Sequence, residues 1–142
     1  MHTALHFIDG HWTAGTTAGA PLADAFNPAT SQVAALFAEG RPADVQAAVA
    51  AARQAFDHGL WRHSPRLRAD LLLAFADRLQ ARREEVADWL VTLNGKLRRE
   101  AMGEILAGVS ELRYYAGLAR NLAGRVQEIE PGCYSVLERE AA

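Results

Sequence analysis

A chain of 142 residues has the length of one domain and can bury about two-thirds of its unfolded surface. It is 50% apolar and 23% charged, as soluble globular proteins are, and its formal net charge of −2 argues against nucleic acid or an anionic membrane as a generic partner. Its longest strongly apolar run, residues 71–76, is far short of the ~20 residues that cross a bilayer.

Residues 5–13 read as a β-hairpin, with Phe7-Ile8 and Trp12 flanking Asp9-Gly10, a dipeptide suited to a two-residue turn. Residues 14–20 are small and glycine-rich and read as a loop. Residues 24–27 form a short strand, and Pro28 holds Asn27 extended or in a turn. A second strand covers residues 32–38 and ends at Gly40. Residues 42–56 are a helix: Val45, Ala48, Val49, Ala52 and Phe56 share a face, and Gly59 stops it. Trp61 is an apolar anchor in the connection that follows.

The chain is organised around residues 64–123. Ser64 is a fitting N-cap and Pro65 a fitting first helical residue. Leu67, Leu71, Leu72, Phe75, Ala76, Leu79, Val86, Trp89, Leu90 and Leu93 keep one face apolar, so a single long helix is expected up to the stop at Asn94-Gly95. Leu97, Ala101, Ile105, Val109, Leu112, Ala116, Ala119 and Leu122 repeat the pattern in a second long helix ended by Gly124. The short break predicts an antiparallel pair. Tyr114-Tyr115 reads as core. Residues 125–132 are polar and turn-like around Pro131-Gly132, and residues 133–138 read as a final strand.

Self-contained chemistry is not legible in these residues. His2, His6, His11, His58 and His63 have no cysteine or carboxylate at ligand spacing, so no metal site is expected. Cys133 lacks a nearby histidine and reads as a structural thiol. As the single cysteine it forms no internal disulfide, and the N-terminus has no basic cluster followed by an apolar run. Both point to a cytoplasmic location. No Gly-x-Gly-x-x-Gly follows a strand. The basic residues between Arg62 and Arg99 alternate with Asp70, Asp77, Glu84, Glu85 and Asp88, and read as a solvated helix face.

The order of short motifs carries more. Phe7-Ile8-Asp9-Gly10-His11-Trp12 resembles the opening hairpin of the NAD(P)-dependent aldehyde dehydrogenase superfamily. Asn27-Pro28-Ala29-Thr30 resembles its next element, with Ser31 where glycine is usual. Asp44-Val45, Ala48-Val49, Ala51-Ala52 and Ala55-Phe56 resemble its first helix. Trp61, Arg68 and Leu71-Leu72 resemble the start of its second. Gly95-Lys96, Gly103-Glu104-Ile105, Leu112-Arg113-Tyr114-Tyr115-Ala116-Gly117, Gly124 and Arg139-Glu140 follow in family order. Leu97 departs from the proline usual after Gly-Lys, and the turn before Gly95 is one residue short.

The resemblance implies an α+β fold. A β-hairpin and short strands come first, then three main amphipathic helices including a long antiparallel pair, then a C-terminal strand. This is an incomplete piece of the aldehyde dehydrogenase fold. It implies that residues 1–142 are the N-terminal segment of such an enzyme, a truncated member without the cofactor-binding core and catalytic domain. The family reaction oxidises an aldehyde to a carboxylic acid with NAD or NADP. The family's cysteine nucleophile, glutamate base and oxyanion-holding asparagine come later in family order than Ala142, so no catalytic, cofactor-binding or metal residue is carried over, and Cys133 does not match the nucleophile. Some members hold a monovalent cation at places matched by Ala25, Phe26 and Glu104, where an exposed or salt-bridged Glu104 is the expectation. The expected partners are a second copy of the chain or a full-length aldehyde dehydrogenase subunit. The alternative function is a non-catalytic interaction protein that associates with such a subunit.

Overall fold

The computed structural model describes residues 2–15 and 21–139. Five short strands come first: β1 (His2–Ala4), β2 (His6–Ile8), β3 (His11–Thr13), β4 (Leu22–Phe26) and β5 (Val33–Ala38). β5 is the central strand of a small sheet, with β1 parallel on one side and β4 antiparallel on the other. β2 and β3 form the expected hairpin. Asp9 and Gly10 take φ of 51° and 78°, the doubly left-handed turn that matches strand twist, and Phe7 lies opposite Trp12 with ring centroids 4.9 Å apart. The expected strand at 24–27 is β4, beginning two residues earlier. β1 was not legible, because three residues are too few to show a period.

The turn from β4 to β5 is built by Asn27. Its Oδ1 accepts from the Ala29 N–H at 2.9 Å, and its carbonyl accepts from the Ser31 N–H at 2.8 Å. Ser31 has φ of 57°, so a serine adopts the conformation that a glycine there would take without steric cost.

Among the described residues the helices are α1 (Pro42–His58), α2 (Leu60–His63), α3 (Pro65–Ala81), α4 (Arg83–Asn94) and α5 (Arg98–Ala119). α1 starts with Pro42 in its first turn, and the buried Asp44 carboxylate accepts from the Arg41 N–H at 2.9 Å. Ser64 caps α3 as expected, its Oγ accepting from the Leu67 N–H at 3.2 Å. Trp61 sits within α2.

The single helix expected from Ser64 to Leu93 is two, separated at Arg82 (φ −101°, ψ 16°). Neither proline nor glycine causes the break. The apolar stripe is silent from Gln80 to Glu85, so nothing buried holds a straight helix there. Arg82 also grips Glu85 with two charge-assisted bonds of 2.8 and 2.6 Å, and Glu84 and Glu85 suit the first turn of a new helix. α3 and α4 each pack on α5. The pairing is antiparallel: Arg98 near the start of α5 reaches Glu84 and Asp88, while Arg113 further along reaches Asp77 and Gln80.

The centre of this packing is Ala87, Ala101 and Ile105, with Leu79, Val86, Leu90, Val91 and Met102 around them. The buried residues of α5 are Ala101, Ile105, Val109 and Ala116, one stripe at helical spacing. Among the described residues most buried positions are alanines, and no large side chain is fully buried. Alanines let helices approach closely, but each removes little apolar surface from water.

Two further expectations are corrected. Tyr114 and Tyr115 are 63% and 53% exposed, edge to face with each other, and are not core. Their face of α5 has no helix laid on it. Residues 125–130, read as turn-like, are strand β6 (Arg125–Glu130), which pairs antiparallel with β7 (Cys133–Leu137) across Pro131-Gly132. The polar sequence of β6 misleads because this ribbon is solvated on both faces, so it needs no apolar alternation.

The exposed surface is 10,724 Å2, against about 7,200 Å2 for a closed monomer of 15.4 kDa. Val45 and Val49 on α1, Leu71 and Phe75 on α3, and Val126, Ile129, Tyr134 and Val136 on the ribbon are all exposed. The helix stripes cover one another only in part.

Candidate functional site

The reactive side chains are dispersed. Cys133 opens β7 on the solvated ribbon, next to the Pro131-Gly132 turn. His2 lies against Trp89, ring centroids 4.9 Å apart. His6 faces α1 and Gly40, with its Nε2 buried and unpartnered among the described residues. His11 is exposed on β3, and His58 ends α1. Among the described residues no three His, Cys, Asp or Glu side chains come together as metal ligands. Glu104 is ion-paired with Lys96, which closes the short α4–α5 connection. Ala25 and Phe26 lie on β4, at the step where its register with β5 shifts.

A dinucleotide needs a strand that runs through a glycine-rich turn into a helix N-terminus with free N–H groups. Among the described residues, β5 into α1 is the strand-to-helix turn, through Glu39-Gly40-Arg41. It does not fit a pyrophosphate. Pro42 removes one N–H donor, and the Asp44 carboxylate occupies the first turn with a charge of the wrong sign. No cofactor step is therefore assigned to these residues.

A trough of about 650 Å3 is lined by Phe56, Trp61, Arg62, His63, Arg68, Leu122 and Arg139. It gathers the end of α1, α2, the start of α3, the residue span after α5 and the residue span after β7. Arg68 is fixed by its Nη1, which donates to the carbonyls of Trp61 (2.7 Å) and Arg62 (3.0 Å). The Arg62 guanidinium lies 4.9 Å from the Phe56 ring centroid, and Arg53 lies 5.2 Å from the same ring.

The solvated-face reading of the basic residues holds for Arg82, Arg83 and Arg98, each paired with an acid. It misses Arg62 and Arg68, which turn toward the trough. Lining residues spread from 56 to 139 leave no local spacing to find. The one available signal is that Arg62 and Arg68 precede the acidic residues of the stretch.

A model of the aldehyde dehydrogenase family matches residues 12–142. Aldehyde dehydrogenase 1 of Tanacetum cinerariifolium is 42% identical over 103 residues, 71% of this chain and 21% of that protein. Aldehyde dehydrogenase family 2 member B4, mitochondrial, of Arabidopsis thaliana is 37% identical over 125 residues, 87% of this chain and 23% of that protein. The crystal structure of NAD-dependent aldehyde dehydrogenase from Sinorhizobium meliloti superposes with a TM-score of 0.87 at 33% identity, covering 94% of this chain and 27% of that one. The chain thus spans about a quarter of the length of its relatives. The expected α+β fold, as a partial aldehyde dehydrogenase fold, is present. Motif order, fold and family match agree, and the chain belongs to the aldehyde dehydrogenase family.

Proposed function

We propose that these residues are a scaffold segment of an aldehyde dehydrogenase, whose reaction is NAD(P)-dependent oxidation of an aldehyde to a carboxylic acid, and that they supply packing surface and not reacting groups. The observation that carries this reading is the uncovered apolar surface: α1, α3 and the β6–β7 ribbon present side chains that a closed fold would bury. The relatives are about four times longer, and that further length is the natural cover. The lack of fit between the strand-to-helix turn at Gly40 and a pyrophosphate supports the same reading.

The test is reduced-cofactor production by the purified chain, first shown to be helical, with NAD and with NADP across a panel of aldehydes. The proposal expects no turnover and no micromolar cofactor affinity by calorimetry. Turnover would refute it. A second reading, association with a full-length aldehyde dehydrogenase subunit, is favoured by the exposed edges of the ribbon. Co-sedimentation with such a subunit tests that reading, and a lack of complex at micromolar concentration would remove it.

A further inference from the structure

The trough between α1, α2 and α3 combines two properties. Its floor and walls include Phe56, Trp61 and Leu122, and the charged side chains that line it among the described residues are cationic: Arg62, Arg68 and Arg139, with His63 beside them. Among the described residues no acidic side chain lines the trough and none of these three arginines forms an ion pair. Elsewhere Arg53, Arg82, Arg83, Lys96, Arg98 and Arg113 have carboxylate partners, while Arg66, Arg78, Arg99, Arg120 and Arg125 have none among the described residues, so what sets the trough apart is that three guanidiniums line one cavity. The chain carries a formal charge of −2, so a cluster of three unpaired guanidiniums runs against its overall balance.

Two of the three are also held in place. Two backbone carbonyls fix one nitrogen of Arg68, and the Phe56 ring supports the Arg62 plane, leaving N–H groups of both for another acceptor. Planar guanidiniums match carboxylate and phosphate oxygens, and like charges gathered in one cavity are relieved by an anion. The volume of about 650 Å3 is that of a small-molecule site.

We propose that this trough binds a small organic anion, a carboxylate or a phosphate monoester carried on a flat apolar body. The anionic group meets Arg62, Arg68 and Arg139, and the body lies against Phe56, Trp61 and Leu122. The site goes beyond the scaffold reading and is tested without aldehyde or cofactor, so either can fail alone.

The experiment titrates the full 142-residue chain with phenyl phosphate and with benzoate, following heat and the Trp61 indole resonance. Inorganic phosphate and benzyl alcohol are the probes lacking the apolar body or the charge. Saturable binding of phenyl phosphate or benzoate is expected, with the tighter of the two identifying the anionic group, and with both control probes weaker by about tenfold. Arg62→Met and Arg139→Met, both at exposed positions, are each expected to weaken binding by about tenfold, while Arg99→Met, which removes the same charge elsewhere, changes it less than about twofold. Helicity by circular dichroism verifies each variant. If a trough variant unfolds, the Trp61 shift in the parent chain decides the location. Absence of saturable binding, an equal loss in Arg99→Met, inorganic phosphate binding as tightly as phenyl phosphate, or an acidic peptide binding more tightly than every small probe would overturn the proposal.

Discussion

Gly95 shows how closely one residue can tie two parts of this chain. It ends α4 in the left-handed region at φ 65°, and a Cβ there would stand 2.9 Å from Cγ of Pro28. Both conformation and space exclude a side chain, so the Asn27-Pro28 turn and the end of α4 are fitted to each other through one hydrogen atom. Gly95→Ala is expected to cost about 1–2 kcal/mol from the left-handed backbone alone, and more from the contact with Pro28, measurable by urea denaturation. Ile105, 5% exposed at the meeting of α4 and α5, is expected to cost about 2–4 kcal/mol on truncation to alanine, whereas Tyr115→Ala should stay within about 0.5 kcal/mol. The contrast marks what sequence could and could not say about single residues. The stripe Ala101, Ile105, Val109 and Ala116 was legible because helical spacing fixes which residues share a face. Tyr114 and Tyr115 were not, because aromatic character says nothing about whether another element lies above them.

Among elements, the break at Arg82 is the clearest case of a feature below the resolution of periodicity. The apolar steps before and after it differ by seven residues, Leu79 to Val86, which fits a continuous helix as well as two short ones. What decides is the local polar chemistry of Arg82, Glu84 and Glu85. Arg82, hydrogen-bonded to Glu85, holds that carboxyl below its ordinary range. The sign follows: a depressed folded-state value adds stability that is present above the ordinary carboxylate range and is lost as pH falls through the folded value. Both groups face solvent, so salt screens the effect. The start of α4 is therefore expected to fray in acid, with Glu85→Gln removing that part of the pH dependence, as read by hydrogen exchange of the α4 amides. The hairpin at Asp9-Gly10 lies at the opposite extreme. Its two-residue turn chemistry is local, so it was legible from the dipeptide and its flanks alone. β6 was hidden because a solvated ribbon lacks the apolar alternation by which strands are recognised.

On the scale of the whole molecule, the helices and ribbon form an open assembly with an alanine-rich seam. Its surface of 10,724 Å2 exceeds that of a closed monomer of this mass by roughly half. Buried alanines hold α3, α4 and α5 in register but contribute little apolar burial, while the larger apolar side chains of α1, α3 and the ribbon face outward. Periodicity located these faces, and only the assembled fold shows which of them remain uncovered. Exposed apolar area on this scale drives association. The most direct test of this open scaffold is light scattering across a concentration series with hydrophobic-dye fluorescence on the same samples. An open scaffold gives a mass rising above 15.4 kDa with concentration, dye binding at the lowest concentrations and a broad melt. A monomer of constant mass that ignores the dye and melts cooperatively would contradict it.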